Sequence, residues 1–146
     1  MSTKILIVDD QKVIRKALHA LIERERDMEV IGEAGDGLTA VRMTEELKPD
    51  VVLMDIVMPC LSGVEATRCI KSKFPQVKII TFSILSNREL IRDMFKSGAS
   101  AYLLKEDVSE EWLKAVKAVR ADQVYISQRL ADKDIKAYIE DIQKNK

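Results

Sequence analysis

Side chains able to do chemistry stand at the ends of apolar runs. Asp9 and Asp10 close the run 5–8, Asp55 closes 51–54, Ser83 closes 79–82 and Lys105 closes 102–104. Singly, each has an ordinary reading: Asp10 caps a helix, Asp9 is a solvated loop residue, Asp55 forms a turn, Ser83 caps a loop and Lys105 snorkels to solvent. Together they read differently. Three carboxylates drawn to one place repel one another, and such a cluster persists around a cation. Oxygen-only ligands favour a hard ion, and Mg²⁺, which keeps several waters, suits two or three carboxylates with a backbone carbonyl. A cation, a lysine ammonium and a hydroxyl around one aspartate can grip the equatorial oxygens of a transferring phosphoryl group. On that reading Asp55 is the nucleophile and forms an acyl phosphate, Asp9 and Asp10 hold the metal, and Lys105 is a compact point charge.

Such a convergence needs elements to deliver it. Patches rich in β-branched residues recur about every 25 residues, at 5–8, 29–31, 51–54, 79–82 and 102–104, and predict five buried strands. Between them Val13, Ile14, Ala17, Leu18, Leu21 and Ile22 follow the three-and-four spacing of a helix stripe, as do Leu38, Val41 and Leu47. The stretches 64–74, 90–95 and 112–119 do likewise. Gly35-Asp36-Gly37 punctuates the second strand and helix, Pro49 and Pro75 stop the second and third helices, and Gly98 follows the fourth as a C-terminal cap would.

Strands alternating with helices require right-handed crossovers, hence a parallel sheet with helices on both faces. Five strands fit a flavodoxin-like, doubly wound (βα)5 sheet of order 2-1-3-4-5, whereas the eight-unit barrel needs far more chain. In such a sheet ligands bind beyond the strand ends where the order reverses, here between strands one and three. That rule brings Asp9, Asp10 and Asp55 to one crevice.

Past Ala121 the alternation ends, and Ile135, Tyr138, Ile139 and Ile142 mark one more amphipathic helix. It reads either as a helix docked on its own domain or a linker, or as a partner or dimer contact. The expected organisation is a domain at 1–122 and a helical extension or linker at 123–146, too short for a three-helix DNA-reading module.

Composition bounds the rest. With 146 residues, 47% hydrophobic and 33% charged, the chain suits one globular domain and excludes wholesale disorder. Basic and acidic residues balance at 24 each, so overall charge favours neither nucleic acid nor an anionic membrane. No apolar run approaches the roughly 20 residues of a membrane span, no secretory signal is evident, and a cytoplasmic location is expected. Cys60 and Cys69 form neither a zinc pattern nor a disulfide framework and read as thiols. His19 falls on the polar side of the first helix and reads as a surface residue, not a phosphocarrier.

The ordered set Ile5-Leu6-Ile7-Val8-Asp9-Asp10, Val51-Val52-Leu53-Met54-Asp55-Ile56-Val57-Met58-Pro59 with Gly63, Ser83, Gly98-Ala99 and Tyr102-Leu103-Leu104-Lys105 resembles the receiver domain of two-component response regulators, over residues 3–122. Ser83, Asn87 and the stretch 102–107 resemble the NarL/FixJ subfamily, whose members usually continue into a helix-turn-helix that 123–146 does not supply. The resemblance implies phosphoacceptor Asp55, Mg²⁺ held by Asp9, Asp10, Asp55 and the main-chain carbonyl of Val57, and Lys105 on the phosphoryl oxygens. It implies Ser83 as switch hydroxyl and Tyr102 as switch aromatic. It also implies a histidine kinase or small acyl phosphate as donor, homodimerisation on phosphorylation, and membership of a transcriptional regulator that meets DNA only through the further module. Activity would be limited to self-catalysed phosphoacceptance and autodephosphorylation.

Two departures stand out. Glu106 follows the lysine where many receivers have Pro. Val57 and Leu85, two residues past Asp55 and Ser83, can neither donate to nor orient an attacking water, so a long-lived phosphoryl-Asp55 is expected. A phosphohydrolase of the dehalogenase type would need a second Asp where Val57 stands. A pseudo-receiver that binds partners without phosphorylation is disfavoured because every chemical residue is present.

Overall fold

The computed structural model describes residues 2–144. Parallel strands β1 (Thr3–Val8), β2 (Met28–Ala34), β3 (Val51–Asp55), β4 (Lys78–Ser83) and β5 (Ala101–Leu104) alternate with helices α1 (Lys12–Ile22), α2 (Gly37–Leu47), α3 (Gly63–Lys73), α4 (Arg88–Lys96) and α5 (Val108–Arg120). The sheet order is β2-β1-β3-β4-β5-β6, every pairing parallel. The expected order stands, with one strand added at its end.

Period-two alternation divides β1 between two cores. Ile5 and Ile7 pack with Leu18, Ile22, Trp112 and Val116 of α1 and α5, while Leu6 and Val8 join Ala40, Ala66, Ile70, Ile91 and Phe95 of α2, α3 and α4. Central strand β3 is buried at every position because helices cover both faces. Burial of each large aliphatic side chain stabilises by about 2 kcal/mol, which is what holds the strand ends in a fixed relation.

Local signals set the boundaries near the crevice. Asp36 caps α2 by accepting from Thr39 N–H at 2.8 Å. Ser62 accepts from Glu65 N–H at 3.3 Å and reaches the Glu65 carboxylate at 3.2 Å, a capping box that starts α3. Gly63 then crosses the end of β3 so closely that a Cβ would collide with the Asp55 carbonyl and lie 2.7 Å from Ile56 Cα. Gly98, at φ 116°, turns the chain out of α4.

Sequence reasoning missed β6 (Tyr125–Ile126), which pairs with Ala101 and Tyr102 of β5. Two residues are too few for a periodicity to register. Ser127 strengthens the addition, its N–H donating to Tyr102 O at 2.9 Å and its Oγ accepting from Leu104 N–H at 3.0 Å. Helix α6 (Lys133–Lys144) lies on α4, burying Ile135 and Ile139 in the core that holds Tyr102, Ile91 and Phe95. No helix among the described residues is long and apolar enough to cross a membrane.

Candidate functional site

Strand ends deliver the acids. Asp9 follows β1 and is fully buried; its N–H donates to Ala34 O at 3.0 Å and its Oδ1 accepts from Gln11 N–H at 2.8 Å. Helix α1 begins behind Gln11, so Asp10 is not its cap and stays exposed with its carboxylate free for other duty. Asp55 ends β3, 3% exposed, its Oδ1 accepting from Ile56 N–H at 2.8 Å. Carboxylate oxygens of Asp9, Asp10 and Asp55 lie within 4.8 Å of one another.

Lys105 enters from the end of β5. Its Nζ lies 2.9 Å from Asp9 Oδ2 and 3.5 Å from Asp55 Oδ2, above the Phe82 ring at 5.4 Å from the centroid. The peptide from Lys105 to Glu106 is trans and leads into a short 3₁₀ turn, Lys105–Asp107. One ammonium facing this many carboxylates leaves the cluster short of positive charge. Burial, then the charge of Asp9, pushes the Asp55 carboxyl up to about 6, against Lys105 and the Ile56 N–H. Burial draws the Lys105 ammonium down, but its bond to Asp9 and the charges of Asp55 and Asp9 outweigh this and raise it.

Buried Asp9 Oδ2 accepts no well-aimed hydrogen bond, so its lone pairs have only the ammonium for company. An all-oxygen set of this size, with one buried acceptor oxygen that meets only an ammonium and one carboxyl reluctant to ionise, fits a hard divalent cation such as Mg²⁺.

Asp10, Asp55, Val57, Ser83 and Lys105 line one crevice, as the topology argument requires. Its rim is apolar, with Val57 63% and Ile84 78% exposed beside Leu85. Tyr102 is not in the crevice; it is fully buried behind it, and burial pushes its phenol up to about 12. The two switch candidates interact directly and also bond the same residue: Ser83 Oγ accepts from Leu85 N–H at 3.0 Å, while Tyr102 OH donates to Leu85 O at 2.7 Å.

Arg15 escaped sequence reasoning. It flanks the apolar stripe of α1, seven residues before buried Ile22, and its Nη1 donates to Asp9 O at 2.7 Å. Nothing in the local pattern shows that the helix folds this face over a strand end. His19 is half-exposed rather than free at the surface, with Nδ1 2.9 Å from Glu33 Oε2 and Nε2 3.2 Å from Glu23 Oε1. Cys60 and Cys69 are exposed free thiols.

In sequence and fold the chain is similar to known proteins. The response regulator receiver domain model matches residues 5–117, and the chain belongs to that family. The transcriptional regulatory protein DegU of Brevibacillus brevis is 38% identical over 135 residues, 92% of this chain and 57% of the relative. A two-component response regulator of the LuxR family from Aurantimonas sp. SI85-9A1 superposes with TM-score 0.83 at 30% identity, covering 99% of both chains. The CheX–CheY–BeF₃–Mg²⁺ complex from Borrelia burgdorferi contains a chain similar at TM-score 0.76 and 28% identity, covering 80% of this chain and 88% of that one. The chain spans little more than half the length of the curated relatives it matches.

Proposed function

We propose that the chain is the phosphorylation-controlled switch of a two-component transcriptional regulator, its receiver occupying 1–122 and 123–146 extending it toward a DNA-binding module. Asp55 is the phosphoacceptor: one Oδ attacks phosphorus and the bond from phosphorus to the donor breaks, releasing either a histidine ring, whose nitrogen takes a proton from solvent, or a carboxylate, which leaves as the anion. A histidine kinase or a small acyl phosphate is the donor, the protein works in the cytoplasm, and phosphorylation favours a homodimer. The observation that carries this reading is the meeting of the Asp9, Asp10 and Asp55 carboxylates with Lys105 at one edge of the sheet.

Asp9, Asp10, Asp55 and the Val57 carbonyl would hold Mg²⁺. When bound, the ion offsets negative charge on the acids and on the phosphoryl oxygens. A complex of a related chain with Mg²⁺ and BeF₃ supports the choice of ion. Lys105 shifts from its two carboxylates to a phosphoryl oxygen, keeping its role as a point charge.

Phosphorylation adds close to two negative charges at the end of β3. Ser83 Oγ turns to donate to a phosphoryl oxygen and releases Leu85 N–H. The main chain on both sides of Leu85 is then free to turn, its carbonyl carries the Tyr102 hydroxyl with it, and the ring follows. The group acts by its differential affinity for two arrangements of this loop. Intact mass after acetyl phosphate and Mg²⁺ tests the proposal: the parent gains one phosphoryl group and Asp55→Ala gains none. Equal labelling of both, or of neither while folded, refutes it.

A further inference from the structure

The Asp9 main chain is held on both sides of its Cα. The Asp9 N–H, in the peptide before it, is bonded to Ala34 O of β2; the Asp9 carbonyl, in the peptide that joins Asp9 to Asp10, accepts from Arg15 Nη1 at 2.7 Å. That carbonyl belongs to the link between the two acids, so the bond sets the plane from which the Asp10 side chain departs. Arg15 is itself anchored. Its Nε donates to Glu33 Oε1 at 3.2 Å, and the other Glu33 oxygen meets His19 Nδ1 at 2.9 Å. Glu33 precedes Ala34, so strand β2 supplies both halves of the grip.

The guanidinium is suited to this duty. Its planar fork presents Nε to one acceptor and Nη1 to another in a fixed relation, which a lysine ammonium cannot reproduce. The side chain is only 18% exposed, so the geometry is not a transient surface pairing. Glu33 is correspondingly a committed anion: its bond to His19, with Arg15 adding, holds its carboxyl below the usual range despite burial.

We infer that Arg15 is a positioning residue for the divalent-cation site: anchored by Glu33, it locks the Asp9-Asp10 peptide so that both carboxylates are set for the ion before it arrives. The inference rests on the cation-site reading above. Two other roles make opposite forecasts. If Arg15 acted through charge alone, it would compete with the cation, and its removal would tighten Mg²⁺ binding. If it served only to pack α1 against β2, its removal would lower stability and leave Mg²⁺ affinity unchanged.

Isothermal titration of the full chain with Mg²⁺, with no phosphoryl donor present, separates these roles. Arg15→Met, which keeps the apolar stem, weakens Mg²⁺ binding about tenfold or more, the range for partners that orient metal ligands. Arg15→Lys keeps the charge and does not restore affinity. Glu33→Ala weakens binding in the same direction, and the double variant is no weaker than Arg15→Met alone, since the two residues act as one unit. Affinity unchanged or tightened in folded Arg15→Met overturns the inference, as does full rescue by lysine. If Arg15→Met does not fold by circular dichroism, Glu33→Ala decides: weaker binding supports the clamp, parental binding overturns it. A folded parent that binds no Mg²⁺ removes the cation site and the clamp together, an outcome distinct from a binding parent matched by its variants.

Discussion

Asp55→Asn stabilises the metal-free protein at neutral pH, although Asp55 is the residue on which the proposed chemistry turns. The folded state raises the Asp55 carboxyl from 3.8 to about 6. A gap of about two units at roughly 1.4 kcal/mol each makes ionised Asp55 cost the fold about 3 kcal/mol. Because the folded chain holds the proton more tightly than the unfolded chain, the contribution is most favourable below about pH 4. It is lost as pH climbs to about 6. Asparagine keeps the shape and carries no charge, so it escapes the loss. The stability difference between variant and parent is therefore only about 0.6 kcal/mol at pH 4 and grows to about 3 kcal/mol by pH 7.

Urea unfolding at pH 4, 5, 6 and 7 in a chelator measures this directly, against a total stability of about 5–15 kcal/mol for a domain. Repeating the pH 7 series with saturating Mg²⁺ inverts the order of gains: the parent is stabilised by binding, and the Asn variant, which lacks one anionic ligand, gains less. An Asn variant no more stable than the parent at pH 7 refutes the account of a carboxylate made costly by burial and by the charge of Asp9. So does an advantage that persists undiminished at pH 4.

Further outcomes follow from the same geometry. Val57→Asn places a polar side chain on the exposed rim and speeds loss of the phosphoryl group from Asp55; an unchanged rate in a dephosphorylation time course ends the argument from apolar exclusion of water. Ser83→Ala accepts the phosphoryl group but leaves the Tyr102 environment unchanged on phosphorylation, which NMR of the ring reads. Gly63→Ala drives a Cβ into the backbone at Asp55 and Ile56, which cannot swing aside as a side chain would, and costs about 3 kcal/mol in urea unfolding. Ile139→Ala opens a cavity between α6 and the α4 side of the core and costs about 2 kcal/mol or more, whereas Arg88→Ala, losing exposed pairs to Asp132 and Asp134, costs less than 1 kcal/mol.

The sheet and the crevice were legible because their causes are local and repeated. Apolar runs such as 51–54 are buried on both faces, and a parallel order then dictates which residues stand at the reversal point. What escaped depends on contacts distant in sequence and carried by few residues. β6 owes its existence to Tyr125 and Ser127 bonding across to Ser100 and Tyr102, and a two-residue strand has no period to read. Arg15 is a polar residue flanking the apolar stripe of α1, and only the fold reveals that Asp9 O lies within its reach. Leu85 reads as an exposed apolar residue, yet its main chain carries the link from Ser83 to Tyr102, and no side-chain pattern encodes a backbone amide.

That link explains how a charge change confined to one strand end can reach a distant helix. Lys105, poised between Asp9 and Asp55, supplies part of the positive charge the acids lack; on the proposed function a divalent cation would take over the carboxylate oxygens and a phosphoryl group on Asp55 would draw the ammonium away. That change reaches Ser83, whose hydroxyl cannot serve both Leu85 N–H and a phosphoryl oxygen in the same orientation. Beyond Leu85 lies Tyr102, buried in the core with Ile91 and Phe95 of α4 and Ile135 and Ile139 of α6. A close-packed interior does not absorb the movement of an aromatic ring without adjusting its neighbours. On the proposed function the helix pair α4 and α6 is where phosphorylation of Asp55 emerges, and Ser83→Ala, which leaves the core packing in place, silences it.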